Sequence, residues 1–304
     1  MPTYLPTLKQ LQYLVALSEH EHFGRAADAS YVSQSTLSAG IRELESLLGV
    51  TLVERSRRVV RFTALGQEVV AKARAILHQA DELTDLVQAA GKPLVGTLRL
   101  AVIPTIAPFL LPRVLPRLRR ERPDLKLFLR EETTDAALEH LGNGRVDCAL
   151  LALPYAVGDV ARAHIADDRL LVAFPRDHAG APPDSVTPAA IDEGRLLMLE
   201  DGHCMKEHAL AACNRPELRA SATMIATSLH TLVQMVNNGL GVTMLPQMAV
   251  DAGILEGTDV VARPLKAKNA VREIALVWRR GSPRERDFNL LAEALRGSGE
   301  PNGR

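Results

Sequence analysis

Cysteine is scarce: three residues in a chain of 304. That excludes the disulfide framework of a small secreted domain and points to a reducing compartment, the cytoplasm. Aromatic residues are also few, at 4% with a single tryptophan. Net charge is absent as well, because Lys+Arg and Asp+Glu both count 36. No whole-molecule field draws in nucleic acid, so any DNA-binding surface has to be local. No apolar run approaches the ~18–20 residues that cross a bilayer. The first residues, MPTYLPTLKQLQYL, lack a charged-then-apolar signal segment. The expectation is a protein with no membrane span.

What is present is ordinary for a globular chain, with 47% hydrophobic and 24% charged residues. The length suits two or three domains. Thr7 is a natural N-cap for a helix from Leu8 to His20. A second short helix spans Phe23–Ser30. After the tight connection Tyr31-Val32-Ser33, a third spans Gln34–Leu48 and ends at Gly49. Two short helices joined by a tight turn form a helix-turn-helix pattern. Its second helix opens with Ser33, Gln34, Ser35, Thr36 and Ser38, side chains able to address base edges and phosphates in a major groove. Residues 51–63 alternate as a two-stranded ribbon whose arginines, Arg55, Arg57 and Arg58 with Arg61, can neutralise phosphates. The alternative for these elements is a small helical bundle with a polar helix start.

Thr63 to Ala90 carries a long apolar stripe that suits a dimerising or connecting helix. From Thr97 onward strands alternate with helices, which predicts an α/β region with a mostly parallel sheet. Expected strands are Leu98–Ile103, Leu125–Arg130, Cys148–Leu153, Leu170–Phe174, Leu196–Leu199, Val242–Leu245 and Ile274–Trp278. The last residues, 297–304, read as disordered. The expected organisation is 1–63 for DNA binding, 64–91 for the linker helix, and 97–304 for a regulatory domain. Its first lobe covers about 97–166 and 271–304, its second about 167–270.

Cys204 and Cys213 lie nine positions apart. In a helix, nine steps separate their Cα atoms by ~13.5 Å, whereas a disulfide needs Cα atoms within ~7 Å. The pair therefore either never bonds, or bonds only by unwinding the segment. Cys204 sits where a helix would begin, with His203 and Lys206 as potential cations on either side that would lower its thiol pKa. Cys213 sits among alanines and Leu210, which keeps a thiol inert. Two ordinary buried cysteines are the bland alternative, and for Cys148, on an apolar strand, it is the favoured one. C-x8-C is not a zinc spacing, although His203 and His208 lie close by. No cofactor is implied. Hydroxyls at strand ends, Thr105, Thr133-Thr134 and Thr227-Ser228, could line a polar pocket or simply cap helices.

The N-terminal motifs Phe23-Gly-Arg-Ala-Ala27, Val32-Ser-Gln-Ser-Thr-Leu-Ser38, Ile41-Arg-Glu-Leu-Glu45, Leu48-Gly-Val50 and Phe62-Thr-Ala-Leu-Gly66 resemble those of LysR-type transcriptional regulators. The resemblance covers the whole chain. It implies a winged helix-turn-helix, a linker helix and a two-lobed regulatory domain like that of periplasmic binding proteins. Within that family, Ile103-Pro-Thr105, Phe109-Leu-Leu-Pro112, Leu196 to Cys204, Cys213 and Ala226-Thr-Ser-Leu229 resemble the hydrogen peroxide-sensing OxyR subgroup. That resemblance makes Cys204 the peroxide-reactive thiol and Cys213 its disulfide partner. It places Thr105, Thr134, His203, Lys206 and Arg272 at pocket positions. Lys206 and Glu207 depart from the Arg and Asp of the best-known members, and lysine lacks the arginine fork. Also implied are a double-stranded DNA operator, a homotetramer built from dimers, RNA polymerase, and reduction by glutaredoxin or thioredoxin systems. The role is regulatory rather than enzymatic. Two alternatives stand: a LysR-type regulator that responds to a small metabolite in the cleft with inert cysteines, and a thiol peroxidase.

Overall fold

A computed structural model describes residues 5–55, 60–88, 93–176, 184–214 and 225–296. The chain divides into two compact units, residues 1–88 with 142–145, and residues 89–141 with 146–304.

The first unit holds α1 (Leu8–His20), α2 (Phe23–Ala29), α3 (Gln34–Leu48), β1 (Val53–Arg55), β2 (Val60–Phe62) and α4 (Ala64–Gln88). Each short helix starts at a side-chain cap. Thr7 forms a reciprocal capping box with Gln10, the His22 ring accepts from Gly24 and Arg25, and Ser33 Oγ accepts from the Thr36 N–H. Gly49 closes α3 at φ 68°. Leu14, Leu17, Leu37, Ile41, Leu44 and Leu52 form the core. The face of α3 that meets α1 has to be bare, since a Cβ on Gly40 would lie 2.7 Å from the Tyr13 ring. β1 and β2 form an antiparallel ribbon, with Glu54 opposite Arg61. The ribbon tip, including Arg57 and Arg58, lies outside the described residues, as do residues 89–92 at the expected end of the linker helix and 297–304. α4 has 25 residues, about 37 Å of helix. Val70 and Ala73 face its core, while Leu65, Ile76 and Leu83 stay exposed.

The second unit is built on β3 (Gly96–Val102), β4 (Leu125–Glu131), β5 (Cys148–Leu153), β6 (Val160–Pro175), β7 (Leu196–Leu199), β8 (Ile225–Ala226), β9 (Val242–Pro246), β10 (Val260–Pro264) and β11 (Val271–Arg279). The order is β4-β3-β5-β11-β6-β9-β7-β8, with β10 also on β6. The expectation of a mostly parallel sheet is corrected. β3 pairs parallel with β4 and β5, and β7 with β8 and β9, but β11 and β6 pair antiparallel with each other and with every other neighbour they have. The strand expected at Leu170–Phe174 in fact runs from Val160 to Pro175.

That length has a structural meaning. The unit has two hydrophobic cores. One gathers Leu98–Ile103, Cys148–Leu153, Ala163, Ile165 and Ile274–Trp278; the other gathers Leu170, Val172–Phe174, Leu196–Leu199, Leu229–Val236 and Ala270. β6 and β11 pass from one lobe to the other, and they cross near Asp168 and Arg272, which face each other in register. The helices are α5 (Ala107–Glu121), α6 (Thr134–Gly142), α7 (Cys204–Cys213), α8 (Leu229–Asn237), α9 (Gln247–Asp251) and α10 (Glu285–Arg296).

Candidate functional site

Four segments remote in sequence meet where the lobes join. Thr105 follows β3, Thr134 is the first residue of α6, Cys204 the first of α7, and Arg272 lies near the start of β11. Arg272 is 0% exposed. Its Nη1 donates to Thr105 Oγ1 at 2.8 Å and its Nη2 to the Thr105 carbonyl at 3.0 Å. Its Nε donates to Asp168 Oδ2 at 3.0 Å, with Nη2 at 2.9 Å from the same oxygen. Asp168 also accepts the Met248 N–H at 2.9 Å. The guanidinium thus ties the first lobe, the crossing strands and the second lobe together, and it is fully satisfied. Thr105 does not cap a helix; its hydroxyl is committed to Arg272.

Cys204 is 1% exposed and packs in the first-lobe core. Burial pushes its thiol pKa up, and this outweighs the groups that favour the thiolate: Arg272, the Thr134 hydroxyl, and the backbone N–H groups of Ala152 and Cys204. Two expectations are corrected here. Burial raises the thiol pKa rather than leaving it lowered. The cation that acts on it is Arg272, not His203 or Lys206. Burial depresses the His203 pKa, against the raising effect of Glu200 nearby. Lys206 Nζ donates to Asp201 Oδ1 at 2.7 Å. Both residues hold the 200–206 turn.

Two polar atoms in this region are buried without a hydrogen-bond partner of standard geometry: Thr134 Oγ1 and His208 Nδ1. The Thr134 hydroxyl is nonetheless near enough to favour the Cys204 thiolate. His208 lies one turn along α7, on the face that carries Cys204. Its Nε2 is 2.9 Å from the Pro154 carbonyl. A carbonyl only accepts, so Nε2 carries the proton and Nδ1 is a bare acceptor. Burial, and then Arg272, lower the His208 pKa to about 4, against the Pro154 bond. His208 Nδ1 is therefore an unused acceptor, while the Thr134 hydroxyl is turned toward the Cys204 sulfur.

Cys213 is the last residue of α7 and lies in the second-lobe core with Met205, Ala209 and Leu210. Burial alone pushes its pKa up to about 11. All three cysteines are free thiols. The helix between Cys204 and Cys213 is unbroken over 10 residues, so the two Cα atoms are ~13.5 Å apart. His203 supplies no side-chain cap, and α7 ends at Asn214 in the left-handed region at φ 52°. A small cleft, with room of about 10 Å³, lies along its flank between Leu197, Leu199, Met205, Ala209, Leu232 and Met244. Cys148 is buried on β5 with its pKa raised by burial.

Of the remaining hydroxyls, Ser228 caps its own helix by accepting the Thr231 N–H at 3.2 Å. The helix-turn-helix presents Ser33, Gln34, Ser35 and Thr36 to solvent, with Ser38 half-buried. Ser33 Oγ is also 2.8 Å from both Ser35 Oγ and Thr36 Oγ1, so its hydroxyl is committed to the cap. Residue-by-residue reading missed Asp168, Tyr155 and Asp135 near the site. Asp168 is hidden in the charged run Asp167-Asp168-Arg169, where nothing marks it as buried.

Among the described residues, no helix is long and apolar enough to cross a membrane. Two family models match: "Bacterial regulatory helix-turn-helix protein, lysR family" over residues 8–67, and "LysR substrate binding domain" over residues 91–300. The regulator EstR of Acinetobacter baylyi is 41% identical over 293 residues, covering 96% of this chain and 97% of that protein. A hydrogen peroxide-inducible genes activator of Escherichia coli O157:H7 is 40% identical over 289 residues, 95% of this chain and 94% of that one. The structure of a full-length OxyR variant from Pseudomonas aeruginosa, carrying a single cysteine-to-aspartate substitution, superposes with a TM-score of 0.78 at 35% identity, covering 96% of this chain and 95% of that one. The chain belongs to the LysR family of helix-turn-helix transcriptional regulators.

Proposed function

We propose that this regulator senses hydrogen peroxide, and that its signal is a reversible Cys204–Cys213 disulfide. The observation that carries the reading is that both thiols terminate one intact helix, Cys204 in the first-lobe core within reach of Arg272 and the Thr134 hydroxyl, Cys213 in the second-lobe core. The names of the E. coli relative and of the P. aeruginosa structure agree with it.

The pocket suits a molecule that both donates and accepts. Peroxide donates to His208 Nδ1 and accepts from the Thr134 hydroxyl. Arg272, held by Thr105 and Asp168, supplies the positive charge that lets Cys204 ionise on demand. The Cys204 thiolate attacks one peroxide oxygen, the O–O bond breaks, an S–O bond forms, and hydroxide leaves and is protonated to water. The Cys213 thiol then displaces hydroxide from the sulfenic acid; the S–S bond forms and a second water leaves with the Cys213 proton. Two thiols lose two electrons, and one peroxide becomes two waters. Closing the bond demands that α7 unwind, because ~13.5 Å must become less than ~7 Å.

His203 and Lys206 serve the site by fixing the turn before α7. Residues 1–63 read the operator through Ser33, Gln34, Ser35, Thr36 and Ser38, with Arg55, Arg57 and Arg58 on phosphates. Residues 64–91 link these to the regulatory region from residue 97. A dimer of dimers, contact with RNA polymerase, and resetting by a cytoplasmic glutaredoxin or thioredoxin complete the reading. Each molecule reacts once per signal, so it is not an enzyme.

The rival is a metabolite-responsive regulator with inert cysteines, and the EstR likeness keeps it in play. Against it, the junction of the lobes is filled by the fully bonded Arg272. The test is one equivalent of peroxide, followed by peptide mapping and operator footprinting. A Cys204–Cys213 crosslink with an altered footprint supports the reading. Induction that survives Cys204→Ser overturns it.

A further inference from the structure

Tyr155 packs against the same first-lobe core as Cys204 and takes no part in the chemistry above. Its O–H donates to Asp135 Oδ1 at 2.5 Å. The two residues come from separate segments. Tyr155 follows Pro154, whose carbonyl is held by His208. Asp135 is the second residue of α6, directly after Thr134. The Thr134 N–H is in turn bonded to the Gly202 carbonyl at 3.2 Å, which ties α6 to the turn that carries Cys204. Gly202 stands at φ +89°, and a Cβ built on it would lie 3.9 Å from Asp135 Oδ2. Asp135 therefore reaches over the glycine immediately upstream of His203 and Cys204. Burial and the Asp135 contact raise the pKa of the Tyr155 phenol, with smaller contributions from Cys204 and Glu207. The ring itself packs partly buried against the first-lobe core.

We propose that the Tyr155–Asp135 hydrogen bond is a latch across the outer side of the Cys204 pocket, and that it sets the size of hydroperoxide admitted. This rests on the reading of Cys204 as a peroxide-reactive thiol. Any hydroperoxide ROOH delivers one oxygen to the Cys204 sulfur, and the remainder leaves as ROH, water when R is hydrogen and an alcohol when it is carbon. The chemistry does not discriminate between them; the opening does. With the latch shut, two segments close over a fully buried thiol, and only a molecule near the size of water passes easily. Without it, no side-chain bond joins the ring to the first turn of α6, and a bulky R group gains entry.

The experiment uses the full-length protein with Cys213→Ser, so that oxidation stops at the sulfenic acid, and measures the rate of Cys204 oxidation by hydrogen peroxide and by cumene hydroperoxide. The expected preference for hydrogen peroxide narrows about fivefold in Tyr155→Phe, the factor one ordinary hydrogen bond is worth, and further in Tyr155→Ala. Tyr155→Phe keeps the ring and its packing, so it separates latching from folding. A reactive Cys204 whose preference is the same in all three proteins overturns the latch alone. A Cys204 inert to both oxidants overturns the functional reading and the latch with it.

Discussion

Cys204 and Cys213 are the first and last residues of one helix, and no rotamer change can join them. Their separation is set by the helical rise, not by side chains. If the proposed disulfide forms, backbone amides inside α7 lose their hydrogen bonds. Amide exchange in peptides covering residues 205–213 should therefore accelerate on oxidation by at least about tenfold and return on reduction. In Cys213→Ser the same peroxide treatment should leave this segment protected. Exchange that is unaltered in a demonstrably crosslinked protein would sink the switch.

Replacing Arg272 with Met leaves Asp168 buried and unpaired and strips Thr105 of its donor. Removing one partner of a buried ion pair costs about 3–5 kcal/mol. Urea unfolding of Arg272→Met should show a loss of that order. The same change removes the cation that opposes burial at Cys204, so alkylation of Cys204 should require a higher pH than in the unaltered protein. The double change Arg272→Met with Asp168→Leu should restore much of the stability but none of the thiol reactivity.

His208 predicts a pH dependence of stability. Its pKa is about 4 when folded, against 6.5 as a free side chain. Between these values the unfolded chain takes up a proton that the folded chain refuses, so stability is full above about pH 6.5 and falls as pH drops toward 4. The shift is worth up to about 3 kcal/mol. His203 shifts in the same direction, so the measurement is the difference between the unaltered protein and His208→Gln. The variant should lose less stability from pH 7 to pH 4.5. Equal losses would mean that His208 ionises freely in the fold.

The sequence disclosed local things well and long-range things poorly. Caps at Thr7 and Ser33 and the stop at Gly49 come from chemistry within a few residues, and helices start and stop there. The motif Phe62-Thr-Ala-Leu-Gly66 was recognisable, but its reason lies elsewhere: a Cβ at Gly66 would sit 2.2 Å from the Leu52 carbonyl oxygen. β6 was half hidden because its first residues carry Arg162, His164, Asp167 and Asp168, charges that mask a strand whose outer half is solvated. Arg272 is 68 residues from Cys204 (272 − 204), and no periodicity links them. The site emerges only when the crossing strands bring them together, and only family resemblance placed Arg272 there in advance.

Ser33 and Gln34 are adjacent at the start of α3 but should fail in different ways. Ser33 Oγ accepts the Thr36 N–H at 3.1 Å and so holds the helix start. Losing that cap costs about 1 kcal/mol of stability, and Ser33→Ala should lower the unfolding midpoint of the DNA-binding unit and weaken every operator to the same degree. The Gln34 side chain is exposed and caps nothing. Surface changes of this kind usually stay within about 0.5 kcal/mol of the parent stability. If Gln34 reads an adenine edge, however, its loss removes about 1–3 kcal/mol of discrimination at one base pair. Gln34→Ala should thus melt normally, bind nonspecific DNA normally, and lose preference at a single operator position in a competition titration. A uniform loss across all positions would instead make Gln34 a phosphate contact.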